Sequence, residues 1–252
     1  MYKRQFVEGA SLRFDAFPDY LGYEVIPMVW DCWPRYVNNM ARWFEKYHVR
    51  TAFFTSSQTA EKMRELCPKV HIYHLPEAIE TELYHAGKNL AERSIDYLEF
   101  GRCSRILDSS RFDKSIKVLS SRNEKTGLST RAQLADALAD SKITLALTRL
   151  DNQPELAEGI DTLTQRYWEC MLSGVVILGR APQELIDIIG YDPVVHLDLN
   201  HANDQILDIL EHIDEYQELV DKNREMALKH GDWKQRIHQM MEVLEKLGYE
   251  CK

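Results

Sequence analysis

The segment from Asp161 to Gly179 constrains this 252-residue chain most, because a helix start, a short helix and a buried strand follow one another there without a break. Thr162 or Thr164 can cap a helix whose first backbone N–H groups lack internal partners, and that end carries a partial positive charge suited to a phosphate. Arg166 adds a full charge. Glu169 lies three positions further on, so the two side chains share a helix face, and a carboxylate there can accept hydrogen bonds from a pair of sugar hydroxyls. Leu163, Tyr167, Met171 and Leu172 form the opposite, apolar stripe. Ser173 and Gly174 end the helix, and Val175 to Leu178 is the continuous apolar run of a strand covered on both faces. The plainer alternative is that Arg166 and Glu169 form an exposed ion pair on an ordinary helix.

Two further segments bear on that choice. Ile95 to Gly101 reads as a strand ending in Gly101-Arg102, where glycine lets backbone approach a ligand and arginine can reach a diphosphate. Ser115 to Ser120 and Ile143 to Thr148 supply two more apolar strands, with Leu128 to Ser141 as a helix between them; Arg122, after the first, is a weaker phosphate candidate. In this order, Gly101-Arg102, the Asp161 to Glu169 segment and Ala181 to Leu185 resemble the donor-binding domain of GT-B glycosyltransferases, in the group-1 or CgeB-like branch. The resemblance covers Ile95 to the C-terminus well and the first third less well. It implies an α/β chain of GT-B type, with a partial N-terminal Rossmann-like domain (1–88), a complete C-terminal Rossmann-like nucleotide-sugar-binding domain (89–232) and a last helix (233–252) that returns to the first domain.

The same resemblance implies roles. The family carries two carboxylates separated by seven residues. Asp161 and Glu169 are their counterparts, the first beside the donor sugar and the second on the nucleotide ribose, although the family usually has Glu where Asp161 stands. The implied donor set is Gly101, Arg102, Arg122, Thr162, Thr164, Arg166, Tyr167, Glu169, Ser173 and Gly174, and the implied substrate is a nucleotide-diphosphate sugar, with no tightly bound cofactor. A sugar would pass to a hydroxyl acceptor that is a glycan, a lipid-linked molecule or a small molecule, in cell-surface polysaccharide or glycoconjugate synthesis. A sugar-nucleotide epimerase and a non-catalytic module of the spore-coat kind stay open beside it.

The N-terminal third reads as half a domain. Tyr23 to Trp30 is a strand; Asp31 to Pro34 is its loop edge; Tyr36, Met40, Trp43 and Phe44 recur at helical spacing; His48 to Thr55 is a strand; Ser56 and Ser57 start a helix through Leu66; Val70 to Pro76 is a last strand, followed by a linker near Glu77 to Arg93. Asp31 is a candidate acceptor ligand or base, though a loop cap suits it better. Met1 to Gln5 is what the end of a transposase sequencing adapter encodes when GTG serves as the start codon, so residues 1–5 read as non-native and the first domain as cut short. Beyond the donor segment, helices are expected over Pro182 to Ile189, around Ile206 to Ile213, over Tyr216 to His230 and over Trp233 to Leu247, and a strand over Val194 to Leu197, with Trp233 anchoring the final helix.

Composition narrows the class. A net charge of −9 argues against tracking a nucleic-acid backbone, and no apolar run approaches the ~18 residues that span a bilayer. Contact with the inner face of a membrane through the acceptor fits an otherwise cytoplasmic protein. The five scattered cysteines suggest a reducing compartment. No spacing of Cys or His suggests a structural metal.

Overall fold

The computed structural model describes residues 4–6, 21–30, 32–101, 112–121 and 128–249. They form two compact units, one of Met1–Glu77, Arg149–Leu163 and His238–Lys252, the other of Ala78–Thr148 and Thr164–Ile237.

The first unit is built on a parallel sheet of β1 (Arg4–Phe6), β2 (Met28–Trp30), β3 (Thr51–Phe54) and β4 (His71–His74), which lie side by side in chain order. Helix α1 (Pro34–Lys46) starts with proline, whose missing N–H costs nothing at that position, and buries Val37, Met40, Trp43 and Phe44. These meet Val29, Ala52, Phe54 and Ile72 from the sheet and Ala60 and Met63 from α2 (Ser57–Leu66). Ser56 caps α2, its hydroxyl accepting the Thr59 N–H at 3.3 Å. A second core joins Phe53 and Leu75 to Leu244 of α10 (Trp233–Lys246).

The expected strand from Tyr23 is realised only over Met28–Trp30. Tyr23 is exposed, and Glu24 turns instead to Arg50 and to the Tyr249 hydroxyl. No apolar period marks Arg149–Leu163, which carries two short helices, α4 (Arg149–Asn152) and α5 (Pro154–Ala157). Arg35 fastens this excursion to the first unit by donating to the Leu156 carbonyl at 2.8 Å and pairing with Glu158 at 2.7 Å, while Arg149 lies over the Trp33 ring.

The second unit holds a five-stranded parallel sheet of β5 (Ile95–Glu99), β6 (Val118–Ser120), β7 (Ser141–Ala146), β8 (Val176–Gly179) and β9 (Val195–His196), in the order β6-β5-β7-β8-β9. Tyr97, Ile143, Leu145, Val176 and Leu178 pack against Ile206 and Ile209 of α8 (Ala202–Glu211) and Val220 of α9 (Gln217–His230). Helix α3 (Arg131–Ala139) begins three residues later than its apolar pattern suggests, because Thr130 and Gln133 close a capping box there. The strand after it begins at Ser141, two residues earlier than expected, and stops at Ala146. Helices α6 (Gln165–Ser173) and α7 (Gln183–Ile189) flank β8, each ending on a left-handed glycine, Gly174 and Gly190. The α/β class and the parallel sheets are those expected.

Cys32, Cys67 and Cys170 are free thiols, and burial pushes Cys32 up to about 12. No helix of the described residues is long and apolar enough to cross a membrane.

Candidate functional site

In the five-stranded sheet the chain reverses direction across the strand order between β5, whose successor lies on one side, and β7, which lies on the other. Open α/β sheets bind ligands outside the carboxyl ends of their strands at such a reversal. Phe100 and Gly101 leave β5 at that edge, and Leu147 and Thr148 leave β7.

Helix α6 brings its charge there. Thr164 has extended N-cap backbone, but its side chain makes no capping hydrogen bond, so the expected hydroxyl cap is corrected to a backbone one. The first turn contains no acidic residue, and Arg166 occupies its second position. A cation opposes the macrodipole at this end of a helix. An anion would reverse that penalty.

The Arg166 guanidinium lies 5.0 Å from the centroid of the Phe100 ring. Gly101 has φ +68, and a Cβ there would stand 1.8 Å from Arg166 Nη2. Glycine is needed twice over, for the left-handed backbone and for the close approach of the guanidinium.

Glu169 does not pair with Arg166. It accepts a hydrogen bond from the Tyr84 hydroxyl at 2.8 Å, and Tyr84 is itself buried. Burial, followed by the Glu169 negative charge, pushes the Tyr84 phenol well above its ordinary range, so it remains protonated and donates. The exposed ion pair considered from the sequence is thus absent among the described residues, and the two side chains are spoken for separately.

The remaining expected residues fall as follows. Tyr167 is fully buried, and its hydroxyl donates to the Arg180 carbonyl at 2.5 Å, a packing role. Ser173 and Gly174 stand at the opposite end of the nine-residue α6, about 10 Å from Arg166 at 1.5 Å per residue. They terminate the helix, where Arg224 donates to the Leu172 carbonyl and the buried Arg93 guanidinium lies beside Gly174. Asp161 and Thr162 belong to the first unit, where the Asp161 N–H donates to Gln58 Oε1 at 2.8 Å. Asp31, Arg102 and Arg122 lie outside the described residues.

Two residues that touch this region escaped sequence reasoning, Tyr84 through Glu169 and Arg180 through Thr148. Tyr84 sits in a stretch read only as linker, and nothing local marks it. Arg180 follows β8 and reaches Thr148 Oγ1 with Nη2 at 2.9 Å. A strand ending in Gly179-Arg180 repeats the glycine-arginine pattern of Gly101-Arg102, and that repeat was the available signal.

Among the described residues no group of His, Cys, Asp and Glu could hold a metal ion. The arrangement offers a fixed cation, a helix N-terminus and an oriented carboxylate, a set suited to a phosphorylated polyol.

No curated protein matches the chain. Among solved structures, sucrose-phosphate synthase from Thermosynechococcus elongatus resembles it with a TM-score of 0.59 at 13% identity, over 90% of this chain and 69% of that one, a likeness of GT-B fold. Residues 102–242 match the glycosyl transferase-like family, more than half of the chain and all of α6, and the protein therefore belongs to that family.

Proposed function

We propose that this glycosyltransferase binds a nucleotide-diphosphate sugar in its second unit and transfers the sugar to a hydroxyl acceptor. The observation that carries the proposal is Arg166, placed at the start of a helix with no acidic residue in its first turn and packed against Gly101 at the carboxyl edge of β5. Charge building on a departing diphosphate would meet the Arg166 guanidinium and the first N–H groups of α6. That stabilisation grows from ground state to transition state and so accelerates transfer. Glu169, acceptor-only as a carboxylate, would take hydroxyl hydrogens of the ribose. Asp161 is proposed for the donor-sugar step on family resemblance, and a glycan or lipid-linked acceptor of cell-surface synthesis fits the same resemblance.

The test is thermal unfolding of the full chain with UDP, GDP, ADP and CMP, each far above a plausible dissociation constant. At about a hundred times that constant, a ligand adds ~2.7 kcal/mol. A rise in midpoint with one nucleotide that disappears in Arg166→Ala supports the donor site and identifies its base. No rise with any of them, or a rise untouched by Arg166→Ala, overturns it.

A further inference from the structure

We infer that Tyr84 is a positioning residue for the donor nucleotide, acting through Glu169 to make the site prefer a ribose over a deoxyribose. Its meaning rests on Glu169 meeting the ribose, as proposed above.

A glutamate on a helix surface has three side-chain torsions and, by itself, no reason to hold one of their combinations. Glu169 is half-buried on α6. Its Oε1 accepts the Tyr84 hydroxyl at 2.8 Å, which ties the carboxylate to one rotamer. One phenol uses one of roughly four acceptor directions on a carboxylate, so Oε2 and the rest of Oε1 remain available for a pair of hydroxyls. An ordered acceptor binds a diol more tightly than a mobile one, because the side-chain ordering is already complete before the ligand arrives.

The tyrosine is in turn held. It follows the single turn Thr81–Leu83, and its N–H donates to the Thr81 carbonyl at 3.2 Å. The Thr81 hydroxyl donates to Asp232 Oδ2 at 2.5 Å. Two backbone bonds flank that pair, Ile79 N–H to the Gly231 carbonyl at 2.8 Å and Trp233 N–H to the Ile79 carbonyl at 3.2 Å. The strap is therefore pinned to the junction of α9 and α10, and the phenol arrives from a fixed base. Hydrogen bonding explains why a buried phenol needs a partner. It does not require that partner to be the one carboxylate on the face of α6 that also carries Arg166.

The experiment compares dissociation constants of the full chain for UDP, GDP and ADP with those for their 2′-deoxy and 3′-deoxy forms, in wild type, Tyr84→Phe, Glu169→Gln and the double variant. The phenylalanine keeps the ring and removes only the donor. Tyr84→Phe is expected to weaken ribonucleotide binding about three- to tenfold, leave the deoxy forms unchanged, and add nothing in the Glu169→Gln background. Equal losses for ribose and deoxyribose, or none, overturn the role of Tyr84 while leaving the donor site standing, provided Glu169→Gln still lowers discrimination in the same assay. Wild type that binds no nucleotide overturns both. Should Tyr84→Phe fail to fold, Thr81→Val serves instead, because it loosens the strap without touching the phenol. A loss of about twofold confined to ribonucleotides supports the positioning role, and any other pattern overturns it.

Discussion

The two parallel sheets are both built from short strands and differ in order. In the first unit β1 to β4 follow one another across the sheet, whereas in the second the chain starts inside the sheet at β5, goes outward to β6 and returns past β5 to β7. A sheet wound in one direction places successive connections on the same side. A reversal sends two connections to opposite faces and parts them at the carboxyl edge. Only the second arrangement occurs with Gly101 and Arg166 at its carboxyl edge, so the candidate site goes with the reversal and not with the strands themselves.

Four experiments would break or sharpen this contrast. The largest effect is expected from Gly179→Ala, because a Cβ there would stand 2.0 Å from the Ala146 carbonyl oxygen at φ +152, against backbone that cannot swing aside. A loss of about 3 kcal/mol should appear in denaturant unfolding, together with loss of nucleotide binding. A fully stable variant would show that β7 and β8 can part without consequence. Next, Arg166→Ala should weaken nucleotide diphosphates about ten- to a hundredfold and the parent nucleosides little, as calorimetry would report; equal losses would remove the phosphate role. Glu169→Gln comes third, with a loss of roughly three- to tenfold for ribonucleotides and a smaller one for deoxyribonucleotides.

The smallest effect belongs to the first unit. Burial acts to raise the Glu24 carboxyl, but hydrogen bonds from Arg50 and Tyr249 outweigh it and hold the group below the ordinary glutamate value of 4.5. A carboxyl lowered on folding stabilises the folded state above its unfolded value, and that contribution fades as pH falls through the folded one. Glu24→Gln should therefore flatten the decline in melting temperature below pH 4.5, cost no more than about 1 kcal/mol at neutral pH, and leave nucleotide affinity unchanged. Altered affinity would mean that the two sheets do not divide the work as their orders suggest.

Much of this architecture was legible. The 3.6-residue recurrence of Met40, Trp43 and Phe44 located α1, and the apolar run at Val175 to Leu178 located β8, because burial on one face or on two leaves a periodic trace. Strand ends were less legible: Ser115 to Ser120 shrank to Val118–Ser120 because Asp113 accepts the Ser115 N–H in a turn. Periodicity gave no access to Arg149–Leu163, whose two four-residue helices are too short to display a face. At the site, Arg166, Glu169 and Gly101 could be named from local pattern. Tyr84 could not, since its significance is a hydrogen bond to a residue 85 positions away. Thr162 and Thr164 are both able to cap by residue type, yet Thr164 takes the N-cap position with its backbone alone, because residue type reports the ability to cap and not the side-chain torsion adopted.

The return of α10 to the first unit also has a bearing on synthesis. Phe53 and Leu75 are made early, yet the Leu244 side chain that completes their core is made only after nearly all of the second unit, and the Tyr249 hydroxyl that meets Thr51 comes later still. Domains generally fold as they emerge, the N-terminal one first. The core shared by the first sheet, α1 and α2 uses only early residues, whereas the apolar face that Leu244 covers stays open to water until α10 is made, and a ribosome that stalls before α10 would leave that face to a chaperone.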